Sequence, residues 1–259
     1  MARLKPADLA CGVLTASAGN MAQAVAWNAR RLDVACTVVA PESAPAAKLA
    51  AVERLGAKVI KVSFDRWWQT FVERGYPGAE GTFIHAFDDP HVMAGNGTIA
   101  LEIFDDLPEV DTILVPWGGG GLSLGIAAAV RALNPACRVF AVEVEGAAPL
   151  AASWAAGAPV VVDFRPSFVD GIGSKTVMPN MLELALGCLQ GSLVVAVEEV
   201  ASAVRLLAER NHLVAEGAGA AAIAAALSGR AGKGRTACVL SGGNIDPHKL
   251  ALILRGGVP

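Results

Sequence analysis

Three short glycine-containing turns are the places in this sequence where residue type and spacing can do chemistry. Ser17-Ala18-Gly19-Asn20 follows an apolar run and opens a stretch of helical period. Glycine allows the sharp turn, and the free N–H groups at a helix start can hold a carboxylate. Ser17 and Asn20 add side-chain hydrogen bonds. Trp117-Gly118-Gly119-Gly120-Gly121-Leu122 again joins an apolar run to a helical stretch. Four successive glycines cost backbone entropy and supply no packing, so their use is to bring several N–H groups against an anion, most often a phosphate. No Gly-Lys-Ser/Thr ending follows, which excludes the nucleotide P-loop. Ser241-Gly242-Gly243-Asn244 places a hydroxyl at the C-terminal edge of a strand, where open α/β sheets bind their ligands. Taken singly, the first turn reads better as an ordinary N-cap, and the third can be a glycine turn with a capping serine. Their order and spacing together are the specific signal.

The elements that must position these turns follow from hydrophobic period. Apolar, β-branched runs at 13–16, 37–40, 58–62, 82–85, 112–116, 138–143, 193–197 and 236–240 read as strands. Helical stretches lie at 20–32, 45–56, 66–75, 91–105, 121–133, 198–212, 216–228 and 246–255. The strand runs are continuously apolar, so both sheet faces are covered. Strand–helix–strand repetition implies right-handed crossovers and parallel sheets, an α/β protein. Residues 146–180 carry four prolines and little periodicity, which predicts a long irregular connection on the surface.

Composition removes other function classes. The chain is 54% hydrophobic and 17% charged, too apolar for disorder. A net charge of −3 with scattered basic residues gives no field for nucleic acid or an anionic membrane. The uncharged run 112–130 is interrupted by Pro116 and the four glycines, so it is no membrane span. The N-terminus has no apolar stretch of signal-peptide type. Cys11, Cys36, Cys137, Cys188 and Cys238 are odd in number and widely spaced, and read as small buried hydrophobes in a reducing cytoplasm. His85, His91, His212 and His248 show no ligand spacing and read as surface or partly buried side chains. Trp67 and Trp68 read as core or interface.

The three turns come with Val39-Ala-Pro-Glu42, Ala44-Pro-Ala-Ala-Lys48, Gly95-Asn-Gly-Thr98 and Glu216-Gly-Ala-Gly-Ala220. In this order the sequence resembles the fold-type II pyridoxal-phosphate (PLP) enzymes, most closely the threonine/serine dehydratases and serine racemase. The resemblance runs almost the full length. It implies a two-lobed, tryptophan synthase β-like fold with parallel sheets, helices on both faces and the cofactor between the lobes. The small lobe is expected at 12–95, and the large lobe at 1–11 and 96–259. The implied cofactor is pyridoxal 5'-phosphate, with its phosphate on Gly118, Gly119, Gly120, Gly121 and Leu122. Asn20 is implied at the phenolic oxygen and Ser241 at the pyridine nitrogen. Ser17, Ala18 and Gly19 are implied around the substrate carboxylate, and Glu216 matches an acidic position near the active site, although an acid there equally suits a helix start. A neutral serine leaves the ring nitrogen unprotonated, which suits β-elimination more than transamination.

The implied activity is an ammonia-lyase that takes L-threonine or L-serine to a 2-oxo acid and ammonia, working as a homodimer on a small amino-acid substrate. In the family a lysine in a Ser-Phe-Lys-x-Arg-Gly-Ala motif holds the cofactor and removes the α-proton. That motif is absent, and by the resemblance it falls before Met1. Lys5 reads as a surface charge, and Lys48, Lys58, Lys61, Lys175, Lys233 and Lys249 stand in other contexts. The isolated chain is therefore expected to be inactive. A serine-racemase-like site for a monovalent or divalent cation is implied at Glu143 and the Ala147 carbonyl, but Pro149 stands where the family has its aspartate. Two other readings remain: a non-catalytic PLP-binding or regulatory partner of an intact paralogue, and an NAD-dependent oxidoreductase built on Gly119-x-Gly121-x-x-x-Gly125 with Glu143.

Overall fold

The structure is a computed structural model. It describes Met1 and residues 3–259, the side chain of Ala47 excepted. The chain divides into two compact units, Met1–His91 and Val92–Pro259.

The first unit contains α1 (Pro6–Leu9), β1 (Val13–Ala16), α2 (Asn20–Arg31), β2 (Cys36–Pro41), α3 (Ala46–Arg54), β3 (Lys58–Val62), α4 (Phe64–Glu73) and β4 (Thr82–Phe83). Its sheet has the order β3-β2-β1-β4 with every pair parallel. Val13, Leu14, Val38, Val39 and Ala40 are buried, so the two inner strands are apolar on both faces, as a sheet covered on both sides requires. β1 lies between β2 and β4, and the Ser17 N–H bonds the Val39 carbonyl at 3.0 Å. The first glycine turn therefore leaves the centre of a sheet, at the C-terminal ends of its strands.

β4 is shorter than the expected 82–85 because the chain after it turns into the unit. The Thr15 hydroxyl donates to the Ile84 carbonyl at 2.8 Å, and His85 is fully buried, in contrast to the surface or partly buried position expected of all four histidines. The Phe71, Phe83 and Phe87 rings lie 5.2, 5.8 and 4.5 Å from the imidazole. Nδ1 accepts the N–H groups of Phe87 (3.3 Å) and Asp88 (2.8 Å), which fixes the neutral ring with its proton on Nε2. Burial pushes the imidazole down to about 4, with Arg74 adding to the effect and Asp88 and Asp89 opposing it. A histidine depressed on folding stabilises the native state above its unfolded value near 6.5, and that contribution is lost as pH falls toward 4. Unfolding by urea is thus expected to show a loss of about 3 kcal/mol between pH 7 and pH 4. His85→Asn keeps an acceptor near the Nδ1 position and removes the titration, so its pH profile should be flatter. An unchanged profile would contradict this account.

The second unit continues through α5 (Pro90–Asp106), β5 (Thr112–Pro116), α6 (Gly121–Leu133), β6 (Arg138–Val144), α7 (Pro149–Ala156), α8 (Pro179–Cys188), β7 (Gly191–Val195), α9 (Val197–Leu206), α10 (Gly217–Leu227), β8 (Thr236–Cys238) and α11 (Pro247–Leu254). Its sheet order is β7-β6-β5-β8, again all parallel. Leu114, Val142 and Val144 face a cluster built on α9 and α10. Strand alternation turns Ile113, Val115 and Ala141 to the opposite face, and α6 contacts β5 and β6. α10 is alanine and glycine for most of its length and is buried almost all round, as a helix apolar on every side must be.

Three expectations are adjusted here. The segment 146–180 is irregular from 157 to 178 and exposed over much of that length, as expected, but it also contains α7, begins α8, and buries Phe168, Val169, Ile172 and Val177. The helix expected at 198–212 ends at Leu206 and passes into a π-helical turn, Leu207–Asn211, closed by His212 in the left-handed conformation. The strand expected at 193–197 lies two residues earlier because the Glu199 carboxylate takes the Ala196 N–H at 2.7 Å and starts α9 there. Cys36 and Cys137 are buried as expected, while Cys11 is exposed; all five thiols are free.

Candidate cofactor site

β5 delivers the tetraglycine loop. The Trp117 N–H bonds the Val142 carbonyl at 2.8 Å, carrying the β5–β6 ladder one residue past the strand, so the turn begins at Gly118. On the far side the buried Ser123 hydroxyl donates to the Pro116 carbonyl at 3.0 Å and ties the loop shut. Gly120, the N-cap of α6, has φ +98°, a conformation that side-chain-bearing residues rarely adopt. A Cβ there would also stand 2.8 Å from Cζ2 and Cζ3 of Trp117, whose fully buried ring underlies the loop. The first helical bond runs from the Leu124 N–H to the Gly120 carbonyl at 2.9 Å. The N–H groups of Gly121, Leu122 and Ser123 therefore have no acceptor within α6, and they sit at its positive end. Gly118 and Gly119 are half-buried and remain open to a ligand.

The other glycine segments of this unit are laid against the loop, backbone on backbone. A Cβ on Gly118 would meet Ile172 Cα at 3.5 Å and the Gly171 carbonyl at 3.6 Å. One on Gly171 would meet Ala218 Cβ at 2.8 Å and the Glu216 carboxyl carbon at 3.6 Å. The Glu216 N–H bonds the Gly242 carbonyl at 3.0 Å, and Gly219 packs so closely on Gly242 that a Cβ would overlap its carbonyl oxygen. The structure thus brings together Gly118, Gly119, Gly120, Gly121 and Leu122 with Glu216 and Ser241. Glu216 is buried, whereas Ser241 is exposed at its turn. Residues 170–172 and the supports Trp117 and Ser123 were not among the expected site residues. Trp117 and Asn244 each hold a buried side-chain N–H with no hydrogen-bond acceptor among the described residues.

Ser17, Ala18, Gly19 and Asn20 form one turn in the first unit. The Gly19 N–H bonds the Ser17 hydroxyl oxygen at 3.3 Å, and Gly19 caps α2. A Cβ on Gly19 would meet nothing within 4 Å, so the turn has open space over it. Glu143 is fully buried at the end of β6, and its carboxylate is used by protein donors. Burial pushes it up to about 6, against three hydrogen bonds that lower it. Among the described residues no three His, Cys, Asp or Glu side chains are grouped as a metal site would need, and no helix is long and apolar enough to cross a membrane.

The profile of a family described as "Pyridoxal-phosphate dependent enzyme" matches residues 1–242. The chain belongs to this family. An L-threonine ammonia-lyase from Geobacter sulfurreducens is 43% identical over 258 residues, covering 96% of this chain and 63% of that protein. A second, from Thermotoga maritima, is 39% identical over 261 residues, covering 100% of this chain and 65% of that protein. The chain therefore spans less than two thirds of these relatives' length. The solved structure of the processed form of threonine deaminase isoform 2 from Solanum lycopersicum matches with a TM-score of 0.85 at 29% identity, over 98% of this chain and 76% of that one. The expected α/β fold of parallel sheets with helices, the fold-type II family and its cofactor class hold.

The residues present fit pyridoxal phosphate. The loop that would take its phosphate has open glycines, a helix N-terminus and a conformation set by Trp117 beneath it. Ser241, at the edge of the same cluster, offers a hydroxyl and no carboxylate. The dinucleotide reading is set aside by the family match, and Glu143, which it needed at a ribose, is bonded to backbone amides instead.

Proposed function

We propose that the protein carrying this chain is a pyridoxal-phosphate dependent ammonia-lyase that converts L-threonine or L-serine to a 2-oxo acid and ammonia. The observation that carries the reading is the tetraglycine loop at the N-terminus of α6, shaped by Trp117 and packed on Gly171–Ile172, which in turn meet the Glu216–Ala218 segment. The names of the relatives, L-threonine ammonia-lyase and threonine deaminase, agree with it. In this reading the N–H groups of Gly118 to Leu122 bind the phosphate. The Ser241 hydroxyl accompanies the ring nitrogen without protonating it. Asn20 takes the phenolic oxygen, and Ser17, Ala18 and Gly19 hold the substrate carboxylate, while Glu216 stays near the reacting carbon. When bound, the cofactor would supply the electron sink for eliminating water across the α and β carbons, and the resulting product would be hydrolysed to the 2-oxo acid and ammonia. Free cysteines support a cytoplasmic setting, and a homodimer is the assembly we assign.

One observation favours a second reading for the chain alone. Lys5, the sole lysine preceding Ser17, is exposed beside α1. On that reading the chain holds the cofactor without covalent attachment and serves as a non-catalytic partner. The test is to record the cofactor's absorbance on the purified chain, and on the reading frame extended upstream of Met1, before and after borohydride, with peptide mapping and an assay of 2-oxo acid from each amino acid. The ammonia-lyase reading expects the extended protein to carry cofactor fixed to one lysine and to release 2-oxobutanoate or pyruvate. Cofactor removable by dialysis from both proteins, with no product, would leave the partner reading.

A further inference from the structure

The cation site implied at Glu143 and Ala147 does not fit the donors found there. Oε1 of Glu143 accepts the Leu150 N–H at 2.8 Å, and Oε2 accepts the Ala151 N–H and the Ser192 hydroxyl, each at 2.7 Å. Leu150 and Ala151 are the second and third residues of α7, so the carboxylate sits on the positive end of that helix. The local sequence calls for such a partner. Ala148 at the N-cap has no side-chain oxygen, and Pro149 at the first helical position has no N–H, so the next two amides need an acceptor from elsewhere. A strand residue remote in position supplies it. Ser192, on the neighbouring strand, supplies the third donor. A metal ion beside this carboxylate would face two amide hydrogens and a helix dipole of its own sign, and would compete with three donors for the carboxylate's lone pairs. Pro149 offers no side-chain ligand in exchange.

We propose that in this chain the N-terminus of α7, together with the Ser192 hydroxyl, takes the place of a cation at Glu143, so that the folded chain neither binds nor needs a metal ion there. The proposal concerns the stability of the fold and is independent of the reaction proposed above.

The experiment is thermal unfolding of the whole chain, followed by circular dichroism, after chelation and with added magnesium, calcium, manganese or potassium ions. The expected result is a midpoint that neither chelation nor any of these ions moves. Glu143→Gln should lower the midpoint by about 5–10 °C, because its amide sets N–H against N–H, and it should do so equally with and without cations. A specifically bound ion present at a hundred times its dissociation constant would instead raise the midpoint by about 5–10 °C. A saturable rise of that kind in the wild type, lost in Glu143→Gln, would overturn the proposal. Ser192→Ala, which leaves both amide bonds in place, covers the case in which Glu143→Gln does not fold. A cation-independent midpoint in that variant and in the wild type sustains the proposal, and a cation-dependent rise in either overturns it.

Discussion

Gly120→Ala is expected to weaken pyridoxal phosphate binding about 100-fold or more, a loss of roughly 3 kcal/mol. Two costs combine at this position. The backbone stands at φ +98°, where an L side chain adds about 1–2 kcal/mol of strain. The added methyl also lands on the six-membered ring of Trp117, which is buried and has nowhere to go, and overpacking of this kind costs about 1–3 kcal/mol. The chain can relieve both by moving the loop, which disperses the N–H groups gathered there. A titration of the purified chain with pyridoxal phosphate, and separately with inorganic phosphate, measures the effect. Equal affinity for both ligands in wild type and variant would mean that the phosphate does not sit on this loop.

Trp117→Ala is expected to produce the largest loss of stability, about 3–5 kcal/mol in urea unfolding. The side chain is 1% exposed, and its removal leaves a cavity directly beneath the tetraglycine loop. Trp117→Phe should cost much less, below about 1.5 kcal/mol, and the reason lies in the indole nitrogen. Its N–H is buried without an acceptor among the described residues, a state that itself costs about 1–3 kcal/mol, so phenylalanine sheds a penalty along with the packing it gives up. If phenylalanine proves as damaging as alanine, the indole N–H has a partner in solution and the ring does more than fill space.

Much of this architecture was legible because the strands are short, continuously apolar and punctuated by glycine. Val13–Ala16, Lys58–Val62 and Thr112–Pro116 stand where period and composition put them, and α6 does so to the residue. The three glycine turns were legible as strand-to-helix turns because glycine and small polar residues directly after a buried apolar run end the strand and free the next helix's first N–H groups. The stretch from Pro149 to Val177 was opaque because its order comes from distant partners. Phe168 and Val169 are held by Gly217, and Gly171 by Ala218, neither of which leaves a period in the local sequence. His85 was misjudged for the same cause: the aromatic residues that enclose it come partly from α4, fourteen residues earlier at Phe71. Glu143 entered only through the resemblance, as half of a cation site lacking its aspartate, and nothing in the sequence marked the two backbone amides that hold its carboxylate.

α10 has a consequence for how this protein can change over time. From Gly217 to Ala225 nearly every residue is the smallest its position allows, and Gly217, Ala218, Gly219, Ala220, Ala221, Ala222, Ala224 and Ala225 are all buried. A helix so thin acts as a gauge, setting how closely the Glu216 end and the Ser241 turn approach the sheet. Substitution along it is one-sided, since no residue can shrink further to any purpose and almost every enlargement pushes the helix outward. The same chain can therefore vary freely at exposed α2 and α4 positions while this stretch stays compositionally monotonous. A redesign that shifts the Glu216 end without changing its chemistry would begin with the diameter of α10.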